Sequence, residues 1–233
     1  MKENWKILSG SALKLLAIVS MLVDHLAAFL WRGVPWCMAP LFSIGSRPIS
    51  AYVLMRMFGR IAFPIFAFLL VEGFIHTSSR KRYGIRLLVF ALISEIPWNL
   101  VHSGTLLYPG QNVFFTLFIG YLGLCAIERF TGAKLAWSLI GLLAASVLLK
   151  VDYGCSGYGF ILLLYALRKQ ELLRAIIGCC VLGSRWIAGT AFIPIAMYNG
   201  ERGFIKGKAG KYFFYLFYPL HLLVIYFLRQ QLL

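Results

Sequence analysis

Acidic residues are scarce: eight Asp and Glu among 233 residues, against 23 Lys and Arg. Charged side chains of both signs together reach only 13%, about half the share of an ordinary soluble domain. With 61% apolar residues and a mean hydropathy of +0.80, the chain has too little polar surface to face water. That excludes a soluble globular domain and describes an integral membrane protein. Cysteines are few and show no paired metal spacing. Cys37, Cys125, Cys155, Cys179 and Cys180 form an odd set in apolar surroundings, expected as small buried hydrophobes and not as a disulfide framework or a metal site. No glycine-rich nucleotide loop, internal repeat, low-complexity tract or cleavable signal peptide is evident. The first apolar stretch carries Lys14, Asp24 and His25, too polar for a plain signal core. The longest polar connection, near residues 32–50, leaves no room for a soluble catalytic domain, so any chemistry belongs to the membrane bundle itself.

The formal net charge of +15 invites a nucleic-acid reading, but the cations lie between apolar stretches and form no basic face on a soluble module. The loops near 75–86, 129–134, 168–174 and 199–211, with Lys2 and Lys6, hold most of them. The alternate loops carry only Arg32, Arg47, Lys150 and Arg185. This is the positive-inside pattern. Apolar stretches near Leu13–Trp31, Ala51–Gly73, Ile85–Val101, Val113–Ile127, Lys134–Leu149, Tyr158–Leu167, Leu172–Arg185, Trp186–Met197 and Lys211–Leu228 predict an all-α polytopic bundle. The expectation is a single domain over residues 1–233, with about nine spanning segments, some short or kinked. The N-terminus is then cytoplasmic, the C-terminus lies outside, and the protein resides in the cell membrane.

Ionisable groups at bilayer depth cost on the order of 2.5–3.5 kcal/mol each, so each calls for a partner or a purpose. The first segment holds Lys14, Asp24 and His25; the second Arg56, Arg60, Glu72 and His76; the third Glu95; the last His221. Arg56 and Arg60 share one helix face, as do Glu72 and His76. Pro64 cannot donate to the carbonyl of Arg60, which predicts a kink there. Structurally, Arg60 is a partner for Asp24 or Glu95. Asp24 and His25 are neighbours about 100° apart on a helix, too far round to pair simply with each other. Neutral imidazole is the default general base near physiological pH. Pro97 opens the backbone beside Glu95, and Asn112 suits an N-cap whose helix end would also hold an anionic or carbonyl group. His221 follows a second proline, Pro219, in an aromatic-rich segment where an interfacial place is the alternative.

These residues fall into a familiar order. Leu15–His25, then Gly59-Arg60-Ile61-Ala62-Phe63-Pro64 with Glu72-Gly73 and His76-Thr77, resemble the TraX family. So do Glu95-Ile96-Pro97, Asn112-Val113-Phe114-Phe115-Thr116 and Phe217-Tyr218-Pro219-Leu220-His221. The founding member of that family is associated with N-terminal acetylation of a pilin subunit. The family also resembles larger groups of membrane acyltransferases that use acyl-CoA and a first-helix histidine. The resemblance implies transfer of an acetyl or similar group from cytoplasmic acetyl-CoA, or another acyl-CoA, to an amine or hydroxyl acceptor: a protein N-terminus, a glycan or a small molecule. It implies His25, Asp24, Arg60 and Glu95 as the catalytic group, and Glu72, His76, Arg80, Asn112, Thr116 and His221 as binding residues, with the lipid bilayer as surroundings and no metal or nucleic acid. One departure stands out: Lys14 occupies the region where related acyltransferases carry an arginine before the first-helix histidine. A proton-coupled transporter using the same buried groups as a relay is the rival expectation, and a purely structural partner of a larger assembly is a third.

Overall fold

The computed structural model describes residues 5–205 and 207–232. Lys2 and Lys206 lie outside the described residues, as do the side chains of Arg185, Lys208 and Lys211. All nine apolar stretches are helical. Helix α1 is Gly10–His25, continued by a π-helical turn Leu26–Leu30. After a short α2, Pro35–Met38, come α3, Ala51–Gly59, and α4, Ala62–His76. Then follow α5, Arg80–Ser103; α6, Val113–Arg129; α7, Gly132–Leu148; α8, Gly154–Ala166; and α9, Glu171–Leu182. A 3-10 stretch, Gly183–Ala191, leads to α10, Phe192–Ala196, and the chain ends on α11, Gly207–Leu232.

Among the described residues, four helices are long and apolar enough to cross a membrane: Gly10–Leu30, Ala51–His76, Arg80–Ser103 and Tyr212–Leu232. At about 1.5 Å per residue each exceeds the roughly 30 Å hydrocarbon core, whereas helices α7 and α8 fall short of the ~20 residues a full crossing takes. The second stretch is not one kinked rod. It breaks between α3 and α4 at Arg60–Ile61, one turn before Pro64, as the missing proline N–H dictates. The chain also departs from a purely helical fold. Residues 32–50 contain a hairpin, β1 Pro40–Ile44 against β2 Arg47–Ser50, turned through Gly45 at φ +60°. Pro48 sits in it at no cost, because a two-stranded hairpin has only edge strands.

Serine and asparagine set several helix starts. Ser9, Ser50, Ser79 and Asn112 each accept a hydrogen bond from a first-turn backbone N–H, at 3.3, 3.4, 3.4 and 3.0 Å. The chain divides into two compact units. The first comprises residues 1–65 and 184–233, and α1 packs there against α3 and α11. Its core includes the fully buried Leu13, Ala17, Leu222 and Ile225. The start of α1 is tied to the loop before α11: the backbone N–H of Gly10 donates to Glu201 O at 2.8 Å, and the Ser11 hydroxyl to Arg202 O at 2.8 Å. The second unit, residues 66–183, is centred on α6, which contacts α5, α7 and α8. Close approach of α6 and α8 depends on small residues, since a methyl at Gly123 would fall 2.8 Å from Leu162 and 3.0 Å from Tyr158. With lipid on the outside, such backbone-to-backbone packing is what holds helices together.

Candidate functional site

In the first unit the polar groups gather where α1 ends. Asp24 and His25 lie five or six residues before Leu30, roughly 8 Å along the axis from that end. Arg56 lies about as far into α3. The two helices touch closely because residue 59 is glycine: a methyl there would overlap the Asp24 side chain. Gly59 thus brings α3 against Asp24, and Arg56 completes the contact. Its Nη1 donates to Asp24 Oδ2 at 2.5 Å and approaches the Asp24 carbonyl at 3.4 Å. Ser20, one turn back on α1, donates its hydroxyl to the carbonyls of Phe58 and Gly59 at 2.7 and 3.2 Å, capping α3 at its break.

His25 turns to another face and meets α11. Its Nδ1 lies 2.6 Å from His221 Nε2, and the two rings are coplanar within 1°. The other ring nitrogen of His221, Nδ1, lies 2.8 Å from the carbonyl of Phe217. Phe29, Tyr218 and Phe217 surround the pair with aromatic faces and edges. The π-helical turn begins at the residue after His25, closed by Trp31 N–H to Leu26 O at 3.0 Å. Single π turns inside helices are frequent at functional sites. Lys14 lies with its ammonium 5.4 Å from the ring centre of Phe214 on α11.

Asp24, His25 and His221 are therefore brought into one neighbourhood, but the arginine is not the expected one. Arg56, named among the ionisable groups at bilayer depth but not in the expected catalytic or binding set, is Asp24's ion-pair partner. Arg60 is exposed, its side chain makes no ion pair or hydrogen bond among the described residues, and its charge acts on Asp24 through space. The group carries a surplus positive charge as a result. Sequence spacing put Arg56 and Arg60 on one face and could not choose between them; the glycine that decides is one position from Arg60.

The second unit has separate polar clusters. Glu95 is paired with Asn112, whose Nδ2 donates to Glu95 Oε2 at 2.6 Å and to the carbonyl of Ala91 at 2.8 Å. Asn112 thus caps α6 and locks it to α5 with one side chain. Thr116, one turn on, is buried and accepts from the backbone N–H of Tyr153 at 3.4 Å, holding the turn before α8. Glu72 and His76 pair along α4 at 3.6 Å, and His76 is exposed. Arg174, buried with its guanidinium 5.1 Å from the ring centre of Phe68, adds its charge near Glu72.

Arg80 stacks on Phe74 at 4.5 Å and reaches Glu128 at 3.2 Å. Glu128 also accepts a short hydrogen bond from the Tyr165 hydroxyl, and the Arg168 guanidinium lies 4.2 Å from the Tyr165 ring centre. Lys81 and Arg82 beside Arg80 are exposed. Glu128, Tyr165 and Arg174 were missed in the sequence; the one signal available was that Glu128 is among only eight acids.

Comparison with known proteins agrees with the order of motifs. No solved structure matches the chain. A curated protein of Dichelobacter nodosus, "Probable fimbrial assembly protein FimC, serogroup H1", is 30% identical over 246 aligned positions, covering 93% of this chain and 94% of that protein. The family model described as TraX protein matches residues 9–229, which spans both units and every polar cluster above: the chain belongs to the TraX family.

Proposed function

We propose that this protein is a membrane-embedded acyltransferase that acetylates, or similarly acylates, an amine or hydroxyl of a fimbrial-type subunit, drawing on acyl-CoA. The relative named for fimbrial assembly supports the acceptor class. The observation that carries the chemistry is the coplanar contact of His25 with His221 beside the Asp24–Arg56 pair, with Arg60 as surplus charge. The His25 imidazole takes the proton from the acceptor nitrogen or oxygen as that atom attacks the thioester carbonyl. Arg60 stabilises the negative charge on the carbonyl oxygen, and the C–S bond then breaks. The proton held on His25 passes to the departing sulfur, giving the acylated acceptor and the free thiol. Arg56 holds Asp24 in place and keeps its charge from cancelling that of Arg60. CoA phosphates require basic groups, and the exposed run Arg80–Arg82 is of the kind that binds them.

About nine membrane segments, some of them short or kinked, with a cytoplasmic N-terminus and an outer C-terminus belong to this reading; a C-terminal reporter fusion that stays cytoplasmic overturns the topology. For the activity, the test is transfer of label from acetyl-CoA by the purified protein in lipid nanodiscs, with a synthetic fimbrial-subunit peptide as acceptor. Label should enter the peptide and fall about 100-fold or more in His25→Ala. Absence of both transfer and slow thioester hydrolysis overturns the proposal. A substrate-independent proton flux in liposomes, abolished by Asp24→Asn, would assign the same groups to a carrier.

A further inference from the structure

The carbonyl of Phe217 can only accept a hydrogen bond, so His221 Nδ1, 2.8 Å away, carries a proton. A neutral His221 with a protonated Nδ1 has its lone pair on Nε2. That nitrogen faces His25 Nδ1 at 2.6 Å, and two lone pairs cannot meet at that distance. His25 Nδ1 must therefore donate. In a neutral His25 this puts the remaining lone pair on Nε2. The chain of donation runs one way, from His25 through His221 to a backbone carbonyl of α11, and the helix itself fixes its direction. Each arm is rigid: the rings are coplanar, and His221 is stacked on Phe217 and buried.

We propose that His221 is a positioning residue that sets the tautomer of His25, making Nε2 the nitrogen that takes the proton from the acceptor. His221 thereby does for His25 what a carboxylate does for the base of a catalytic triad, fixing tautomer and orientation, but without bringing a second negative charge into the bilayer. A carboxylate there would add the insertion cost of another ion. The tautomer follows from the geometry with both rings neutral; the role assigned to it rests on the acyl-transfer reading.

The chain has only four histidines, so 15N-histidine labelling gives a sparse spectrum that single His→Gln variants assign. At about pH 8, where an ordinary imidazole is neutral, His25 and His221 should both read as protonated on Nδ1. His221→Phe keeps a ring but removes the acceptor, and His25 should lose that preference. In His221→Gln the side-chain carbonyl can stand where Nε2 stood, and His25 should keep it. Acyl transfer should follow the same order, with Gln within about tenfold of the native rate and Phe down about 100-fold. Protonation of His25 on Nε2 in the native protein overturns the inference. So does a His25 tautomer unmoved by Phe, or equal losses of rate in Phe and Gln. Should Phe not fold, the native and Gln spectra still decide. The spectra need no donor or acceptor, so a protein with these tautomers and no transferase activity would fail the proposed function and leave the imidazole arrangement standing.

Discussion

Replacing Gly59 by alanine tests the approach of α3 to α1, because two effects of opposite sign compete. Gly59 ends a helix with ordinary backbone angles, so alanine taken alone would stabilise by about 1 kcal/mol. The added methyl, however, would overlap the Cβ, Cγ and Oδ1 of Asp24. Asp24 cannot simply swing aside, being held by Arg56 at 2.5 Å. Overpacking costs about 1–3 kcal/mol, and with three Asp24 atoms within 2.5 Å of the added methyl the upper part, about 2–3 kcal/mol, applies. Relief by giving up the ion pair costs about 3–5 kcal/mol, since an uncompensated charge is left in a poorly hydrated place. After the helix-propensity gain, the net expectation is a loss of roughly 1–4 kcal/mol. At about 2–4 °C per kcal/mol for a chain of this size, thermal unfolding in detergent or nanodiscs should fall by about 2–16 °C. In an Asp24→Gly background, which removes the Cβ as well as the carboxylate, the obstacle is gone, and Gly59→Ala should then raise the midpoint. An unchanged or raised midpoint in the native background would refute the geometry of the pair.

Arg56→Ala should destabilise by about 3–5 kcal/mol by leaving Asp24 unpaired, whereas Arg60→Ala should cost under about 1 kcal/mol yet abolish transfer; the reverse order in thermal unfolding would show the pairing to be misassigned. Asn112→Ala removes the α6 cap and both bonds to α5, for about 2–4 kcal/mol, and Asn112→Ser should recover only the capping share of about 1 kcal/mol. Arg80→Gln breaks an exposed ion pair and should shift stability by less than about 1 kcal/mol, while raising the KM for acetyl-CoA. Equal KM values in native and variant protein would remove Arg80 from substrate binding.

The features legible from sequence were those set by near neighbours. Hydropathy located the long helices but not the four-residue α2, Pro64 located the break at Arg60–Ile61, and Asn112 was readable as a cap because its partner is two residues away. The separate faces of Asp24 and His25 also followed from helical periodicity, and they do meet different helices. What depended on a distant segment was not legible. His221 is 196 residues from His25, and nothing in either local pattern announces the other. The hairpin in residues 40–50 is exposed along nearly its whole length, so it lacks the alternation of buried and exposed positions that marks a half-buried strand. The π-helical turn leaves no trace in the apolar run Leu26–Leu30, since an extra residue per turn changes no composition.

The link between positions 25 and 221 also imposes an order of events during biosynthesis. A ribosome adding about 5–20 residues per second delivers His221 roughly 10–40 seconds after His25. Throughout that interval the Asp24–Arg56 contact can already form, because both halves are made early, while the imidazole must wait for the last helix to enter the bilayer. The paired imidazoles are thus complete only after α11 has been made, and a nascent chain lacking that helix carries His25 without its orientation.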